Sequence, residues 1–228
     1  MKTRQEIKAD AKSAMIHQRG TAILTLLVAG LLAGIAGYIS GFFSFLFVFF
    51  PVMMFFSWAI IYASIFFVAF PLSVNTTGVF VKIYKREHAT ANDVVSQFTV
   101  NYLRKVGSMT LMFLFTILWS MLCFVPGIVK GISYSMTPYI LANHPNVTAR
   151  DAIRLSMRMT NGYKMDLFVM QLSFIGWHLL SILTCGVLSI VFVGPYLSTT
   201  TAGYFVELRD KALANGVIHD YELNGRFQ

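Results

Sequence analysis

The sequence predicts an all-α fold: a polytopic transmembrane helical bundle of about six spans in three hairpins, with short cytoplasmic amphipathic helices. Three observations predict it. Of 228 residues, 56% are hydrophobic and only 12% are Asp, Glu, Lys or Arg, about half the charged share of an ordinary soluble chain; mean hydropathy is +0.65. Charge is also missing in blocks. None lies between Arg19 and Lys82, Lys105 and Lys130, Lys130 and Arg150, or Asp166 and Glu207. A spanning helix needs roughly 20 apolar residues, so each block holds one or two spans. Finally, the blocks are continuously apolar, without the short alternating segments of a transmembrane barrel.

The elements follow in order. Thr3 and Glu6 form a capping-box pair ahead of a helix on which Ile7, Ala11 and Ala14 share a face beside Lys8 and Lys12. The first span covers about residues 21–43. The second covers about 49–70, with a broken continuation through Ser73, Asn75, Thr76 and Thr77 left open. The next pair covers about 106–125 and 132–143, the latter starting near 128. Pro126-Gly127 supplies the turn between them. A charge at a helix centre costs about 2.5–3.5 kcal/mol on insertion scales, which places Lys130 near an interface. The last block folds into spans at about 167–183 and 187–205, turning at Thr184-Cys185-Gly186.

A second amphipathic helix starts at Thr148 with Asp151 and stops at Asn161-Gly162. At 100° per residue, Ala152, Ile153, Leu155, Ser156, Met157 and Met159 fill one side. Arg150, Arg154 and Arg158 stand on the other with Asp151. These arginines are candidate lipid-headgroup contacts of an interfacial helix; docking of another anionic partner is the alternative.

Six spans divide the chain into a cytoplasmic amphipathic helix (1–19), a transmembrane domain (20–208) and a cytoplasmic tail (209–228). On that count 17 of the 18 basic residues fall on one side, and Lys130 alone falls on the other. The positive-inside rule then puts both termini in the cytoplasm of a multi-pass cell-membrane protein. A third span before Lys82 would send the basic cluster at 82–105 outside. The net charge of +8 is explained by anionic lipid, and nucleic acid is not an expected partner. Cys123 and Cys185 lie in apolar runs without ligand spacing, so both are expected reduced. The first apolar run is too long for a cleavable signal, and no lipidation motif is present. The sequons at Asn75 and Asn146 fall on or near the cytoplasmic side and are discarded.

Within the spans, Gly30, Gly34, Gly37 and Gly41 share a helix face that permits close backbone approach, to a segment of this chain or a second subunit. Pro71, Pro138 and Pro195 interrupt the even-numbered spans, each near hydroxyl side chains: Ser73, Thr76 and Thr77; Ser133, Ser135 and Thr137; Ser198, Thr199, Thr200 and Thr201. Broken helices at corresponding positions are either ordinary kinks or a transport site. Gln171, His178 and Cys185 recur at seven-residue spacing. Tyr134, Thr137, Gln171, His178 and Thr199 form the candidate intramembrane polar site, while a His satisfied by a neighbouring hydroxyl is the bland alternative. No phosphate loop, zincin motif, nucleophile elbow or supported carboxylate pair occurs. The expectation is a non-enzyme with no metal and no cofactor.

Several stretches carry a family resemblance. They are Pro126-Gly127-Ile128, the runs 132–137 and 139–142, Ala152-Ile153 with Ser156, Asn161-Gly162-Tyr163-Lys164, Leu167-Phe168, the run 172–177, Leu183-Thr184 with Gly186, and Pro195-Tyr196. Together with Glu6-Ile7-Lys8 and Ala11-Lys12 they resemble the uncharacterised bacterial integral membrane proteins numbered 975 among domains of unknown function. Lys164 keeps a basic residue of that pattern, whereas His178 stands where an apolar residue is expected. The resemblance implies a bacterial cytoplasmic membrane and no established cofactor or reaction. Two functions remain open. One is an accessory or structural envelope protein that binds membrane lipids, another membrane protein or itself. The other is a small transporter or lipid-carrier translocator using the broken helices 2, 4 and 6.

Overall fold

The computed structural model describes residues 2–46, 51–184 and 186–225. Among them every regular element is helical. The first helix, α1 (Arg4–His17), opens on the expected capping box. The Thr3 hydroxyl accepts from the Glu6 N–H at 3.3 Å, and the Glu6 carboxylate accepts from the Thr3 N–H at 2.6 Å. Hydrogen bonds to the carboxylate from the Thr3 N–H, then from the Thr3 side chain, hold the Glu6 carboxyl below its usual range. After Gln18 comes α2 (Arg19–Leu46). Next, α3 (Pro51–Ser64) continues through a π-helical turn at Ile65–Ala69 into α4 (Phe70–Tyr84). The short α5 (Asn92–Ser96) leads to α6 (Tyr102–Leu122), then α7 (Phe124–Tyr134) and α8 (Thr137–Asn143). The remainder is α9 (Ala149–Met159), α10 (Lys164–Leu172), α11 (Ile175–Leu183), a second π turn at Ser189–Val193, α12 (Gly194–Ala214) and α13 (Asp220–Leu223). Four stretches are long and apolar enough to cross a membrane: Arg19–Phe42, Trp58–Tyr84, Tyr102–Leu122 and Lys164–Leu183.

Each of the three prolines starts a new helical segment. Pro71, Pro138 and Pro195 lie in the first turn of α4, α8 and α12, where a missing N–H costs no intrahelical bond. A π turn precedes Pro71 and Pro195, and a break at Ser135-Met136 precedes Pro138. The nearby hydroxyls satisfy their own helices: Ser73 donates to Phe70 O, Thr76 to Leu72 O, Thr199 to Pro195 O and Thr200 to Tyr196 O, all at 2.7–2.8 Å.

Two halves differ in what covers their apolar side chains. In one, α12 lies at the centre of a protein core, packed on α1, α4 and α9, with Phe80, Ile140, Leu155, Tyr204 and Phe205 fully buried. In the other, large apolar side chains point outward from α2 (Leu31, Ile35), α3 (Trp58), the second half of α6 (Leu118, Met121) and α11 (Leu179, Leu183).

The position of α9 corrects the expectation of an interfacial helix. Ala152, Ile153, Leu155, Ser156 and Met159 are buried in protein, with α9 packed on α6, α7 and α8. The break ahead of Pro138 explains the attachment. It leaves the Met136 N–H for the Ser156 hydroxyl, which accepts at 3.2 Å and donates to Ser133 O at 2.7 Å. The caps of α9 are as the sequence predicts: the Thr148 hydroxyl accepts from the Asp151 N–H, and Gly162 follows the helix with φ +84°.

Candidate functional site

The three arginines of α9 have different partners. Arg150 is exposed. Arg154 lies 3.8 Å from Asp151. Arg158 turns inward on the chain itself: its guanidinium donates to Glu222 at 2.6 Å and also to Val217 O. Glu222 in turn accepts from the His219 N–H at 2.9 Å. Burial would raise the Glu222 carboxyl, but Arg158 and that N–H outweigh it and hold it below its usual range. Arg158 is therefore a clasp on the C-terminal segment, which leaves Arg150 and Arg154 as the outward pair.

The five candidate intramembrane residues do not share one environment. Tyr134, Thr137 and Thr199 are buried, whereas Gln171 and His178 are exposed. The break at Ser173-Phe174, between α10 and α11, interrupts the seven-residue spacing that suggested a single stripe. Cys185 lies outside the described residues.

On the glycine face of α2, a Cβ on Gly30, Gly34, Gly37 or Gly41 would meet no atom of the described residues within 4 Å; α2 reaches the core through the neighbouring Leu26, Ala29, Leu32 and Ala33. Gly37 and Gly41 instead border a groove of about 290 Å³ against Ile61, Ser64 and Val68. The close approach occurs at Gly203 of α12, whose Cβ would stand 2.5 Å from the Tyr84 ring. A single glycine carries no repeating signal, so the sequence did not single it out.

One buried and one half-buried cation were also not singled out. Lys105 is 4% exposed. Its ammonium donates to Asn75 Oδ1 at 2.6 Å and Gln97 O at 2.7 Å, and Asn75 Nδ2 donates to Val94 O, tying α4, α5 and α6 together. Arg104 donates to Leu141 O, His144 O and Val147 O, capping the carboxyl end of α8, where a cation is favoured. The only sequence signal was their place at the edge of a charge-free block. Next to them, burial and then the charges of Arg209 and Lys85 bring His144 down to about 4 from its ordinary 6.5.

A cleft of about 480 Å³ separates α1 from α10. Arg4, Gln5 and Lys8 line one wall; Val169, Met170 and Ser173 line the other. The Lys8 ammonium donates to the Ser173 hydroxyl at 2.5 Å and lies 4.8 Å from the centre of the Phe174 ring. Arg4 Nε is 3.6 Å from Asp166. Burial, then the charge of Arg4, lowers the Lys8 ammonium from its usual range.

No curated protein and no solved structure matches the chain. Residues 121–212 match the model of a family described as protein of unknown function (DUF975). That range takes in α7 to α11 and nearly all of α12, including Pro138, Pro195 and the Ser133–Ser156 attachment, and it leaves α1 and α2 outside. Over residues 121–212, then, the chain is similar to the uncharacterised DUF975 proteins.

Proposed function

We propose that this is a multi-pass component of a bacterial cytoplasmic membrane, with both termini cytoplasmic. It works without catalysis, as an accessory envelope protein that binds lipid or another membrane protein. One observation carries the reading: large apolar side chains stand exposed along α2, α3, the second half of α6 and α11, within blocks that hold no charge. Soluble monomers rarely show contiguous apolar patches beyond a few hundred Å². Lipid is the solvent in which such helices are stable.

Support for three hairpins comes from the pairing of successive segments. α2 packs on α3 and α4, α6 on α7, and α11 on the π turn that leads into α12. The charged loops and α1 gather beside the packed core, which fits a cytoplasmic face. The translocator reading calls for a shared polar cavity, and the exposure of Gln171 and His178 gives it no support.

Single cysteines at Thr99, Asn161 and Asn215, all exposed, test the orientation in a background with Cys123 and Cys185 replaced by Ala. An impermeant thiol reagent should label all three in lysed cells and none in intact cells. Labelling of any one from outside would refute the cytoplasmic placement.

A further inference from the structure

The cleft between α1 and α10 lies where the molecule changes solvent. On one side of it Lys2 and, on α1, Arg4, Glu6 and Lys12 are exposed. On the other, past Ser173, the exposed side chains are Ile175, Trp177, Leu179, Leu180, Ile182 and Leu183, with His178 among them. The nine residues of α11 rise about 14 Å, roughly half the hydrocarbon thickness. The chain then returns to set Tyr196 against Phe174, ring centres 5.2 Å apart. Lys8, bonded to Ser173 and capping the Phe174 ring, therefore stands at the rim between water and lipid.

We propose that this cleft binds the phosphate of a phospholipid in the near, cytoplasmic leaflet, with Lys8 and Arg4 as its cationic contacts. The inference rests on the membrane reading above and gives it a ligand class and a place. Charge is the first argument. Among the described residues no carboxylate lies within ion-pair distance of Lys8, and the one beside Arg4 is Asp166 at 3.6 Å, too long for a hydrogen bond. The cleft is thus net positive. Its donors match an anion with several acceptor oxygens: an ammonium has three N–H groups, of which Ser173 takes one, and a guanidinium fork pairs bidentately with phosphate.

The shape of the cleft is the second argument. Its α1 wall is polar, its α10 wall carries Val169 and Met170, and the exposed apolar face of α11 continues from that wall. A free phosphate would use only the first wall, whereas a phospholipid uses both. The lowered pKa of Lys8 fits a cation that lacks its anion.

The test uses the full-length protein in dodecyl maltoside micelles, with lipid binding read by native mass spectrometry. The probes are dioleoyl phosphatidylglycerol, dioleoylglycerol and inorganic phosphate. One basic residue beside an anionic group contributes about 1 kcal/mol, or about fivefold in Kd. Lys8→Gln and Arg4→Gln should each weaken the first phosphatidylglycerol site about fivefold, and Lys8→Arg should restore it. Lys85→Gln, which removes an exposed charge just after α4, should change it less than about twofold. Gln5→Glu repeats the test from an exposed position if Lys8→Gln disturbs the seating of α1. An equal loss in Lys85→Gln overturns the proposal, as does wild-type affinity in Gln5→Glu. Equally tight binding of dioleoylglycerol overturns the phosphate as the recognised group, and equally tight binding of inorganic phosphate overturns the lipid. The parent reading fails separately, if the protein is recovered from cells in water without detergent.

Discussion

α2 and α12 relate composition to burial in opposite ways. Arg19 is the only charged residue of α2, yet Leu31 is 64% exposed and Ile35 56%. α12 carries Glu207, Arg209, Asp210 and Lys211, yet Tyr204 and Phe205 are fully buried in it. Hydropathy therefore reports which solvent a helix meets and not how deeply it is packed. Protein atoms surround α12, and they fix each side chain by contact. In the membrane proposed above, the outward face of α2 would need only to be compatible with acyl chains, so its individual side chains would be weakly constrained.

Truncation gives the largest expected effect on this contrast. Phe205→Ala should cost about 3–5 kcal/mol, because it empties a site lined by fixed neighbours. Leu31→Ala should cost less than about 1 kcal/mol in the same micelle, since detergent fills the space it vacates. Thermal unfolding of both variants checks the difference. Comparable losses would mean that the outer face of α2 meets protein, and the contrast would fail.

The clasp between Arg158 and Glu222 belongs to the packed half and sharpens the comparison by about 1–2 kcal/mol. Arg158→Gln should loosen the C-terminal segment by that amount and speed amide exchange in α13. Arg150→Gln, one helix face away and exposed, should do neither. Similar exchange in the two variants would reduce Arg158 to an ordinary surface charge.

Acid should also act on the packed half alone. His144 titrates near 4 in the folded protein against an ordinary 6.5, so the unfolded chain takes the proton first as pH falls. The stability this gives is complete above about pH 6.5 and is lost as pH drops toward 4. Discounted for its partial exposure, the effect is about 1–2 kcal/mol. Melting temperature should fall between pH 7 and pH 4.5, and it should fall less in His144→Gln. An unchanged pH dependence in that variant would assign the acid sensitivity elsewhere.

The sequence made the helical class, both helix caps and the three proline breaks legible, because each depends on neighbours within a few residues. Thr3 with Glu6 and Thr148 with Asp151 are local pairs, and Pro138 ends a segment whatever lies beside it. What the sequence could not show were choices between solvents and between distant partners. The apolar face of α9 has the periodicity of an interfacial helix, and only the Met136 N–H freed 20 residues earlier decides that protein covers it. Gln171 and His178 keep their spacing on paper, but the break at Ser173-Phe174 lies between them. Lys8 was visible beside Ile7 and Ala11, and its place opposite Ser173 depends on a contact 165 residues away.

The smallest expected effect separates the two helices most cleanly, because both substitutions add bulk at a glycine. In α12, Gly203→Ala places a Cβ 2.5 Å from the Tyr84 ring, so the ring or the helix must shift, at a cost of about 1–3 kcal/mol. In α2, the Cβ of Gly34 would meet no atom of the described residues within 4 Å. Gly34→Leu should therefore change stability by less than about 0.5 kcal/mol. It should even gain slightly from helix propensity, where glycine is worth about 0.8–1 kcal/mol less than a good helix former. A small-xxx-small face predicts the reverse, a loss of folded protein, whenever another backbone presses against it. Melting of dilute and concentrated Gly34→Leu in detergent distinguishes the cases. No loss at either concentration leaves the face to lipid. A loss that appears only against a wild type stabilised by concentration would place a second copy of the chain on it, and α2 would then share with α12 the constraint that protein packing imposes.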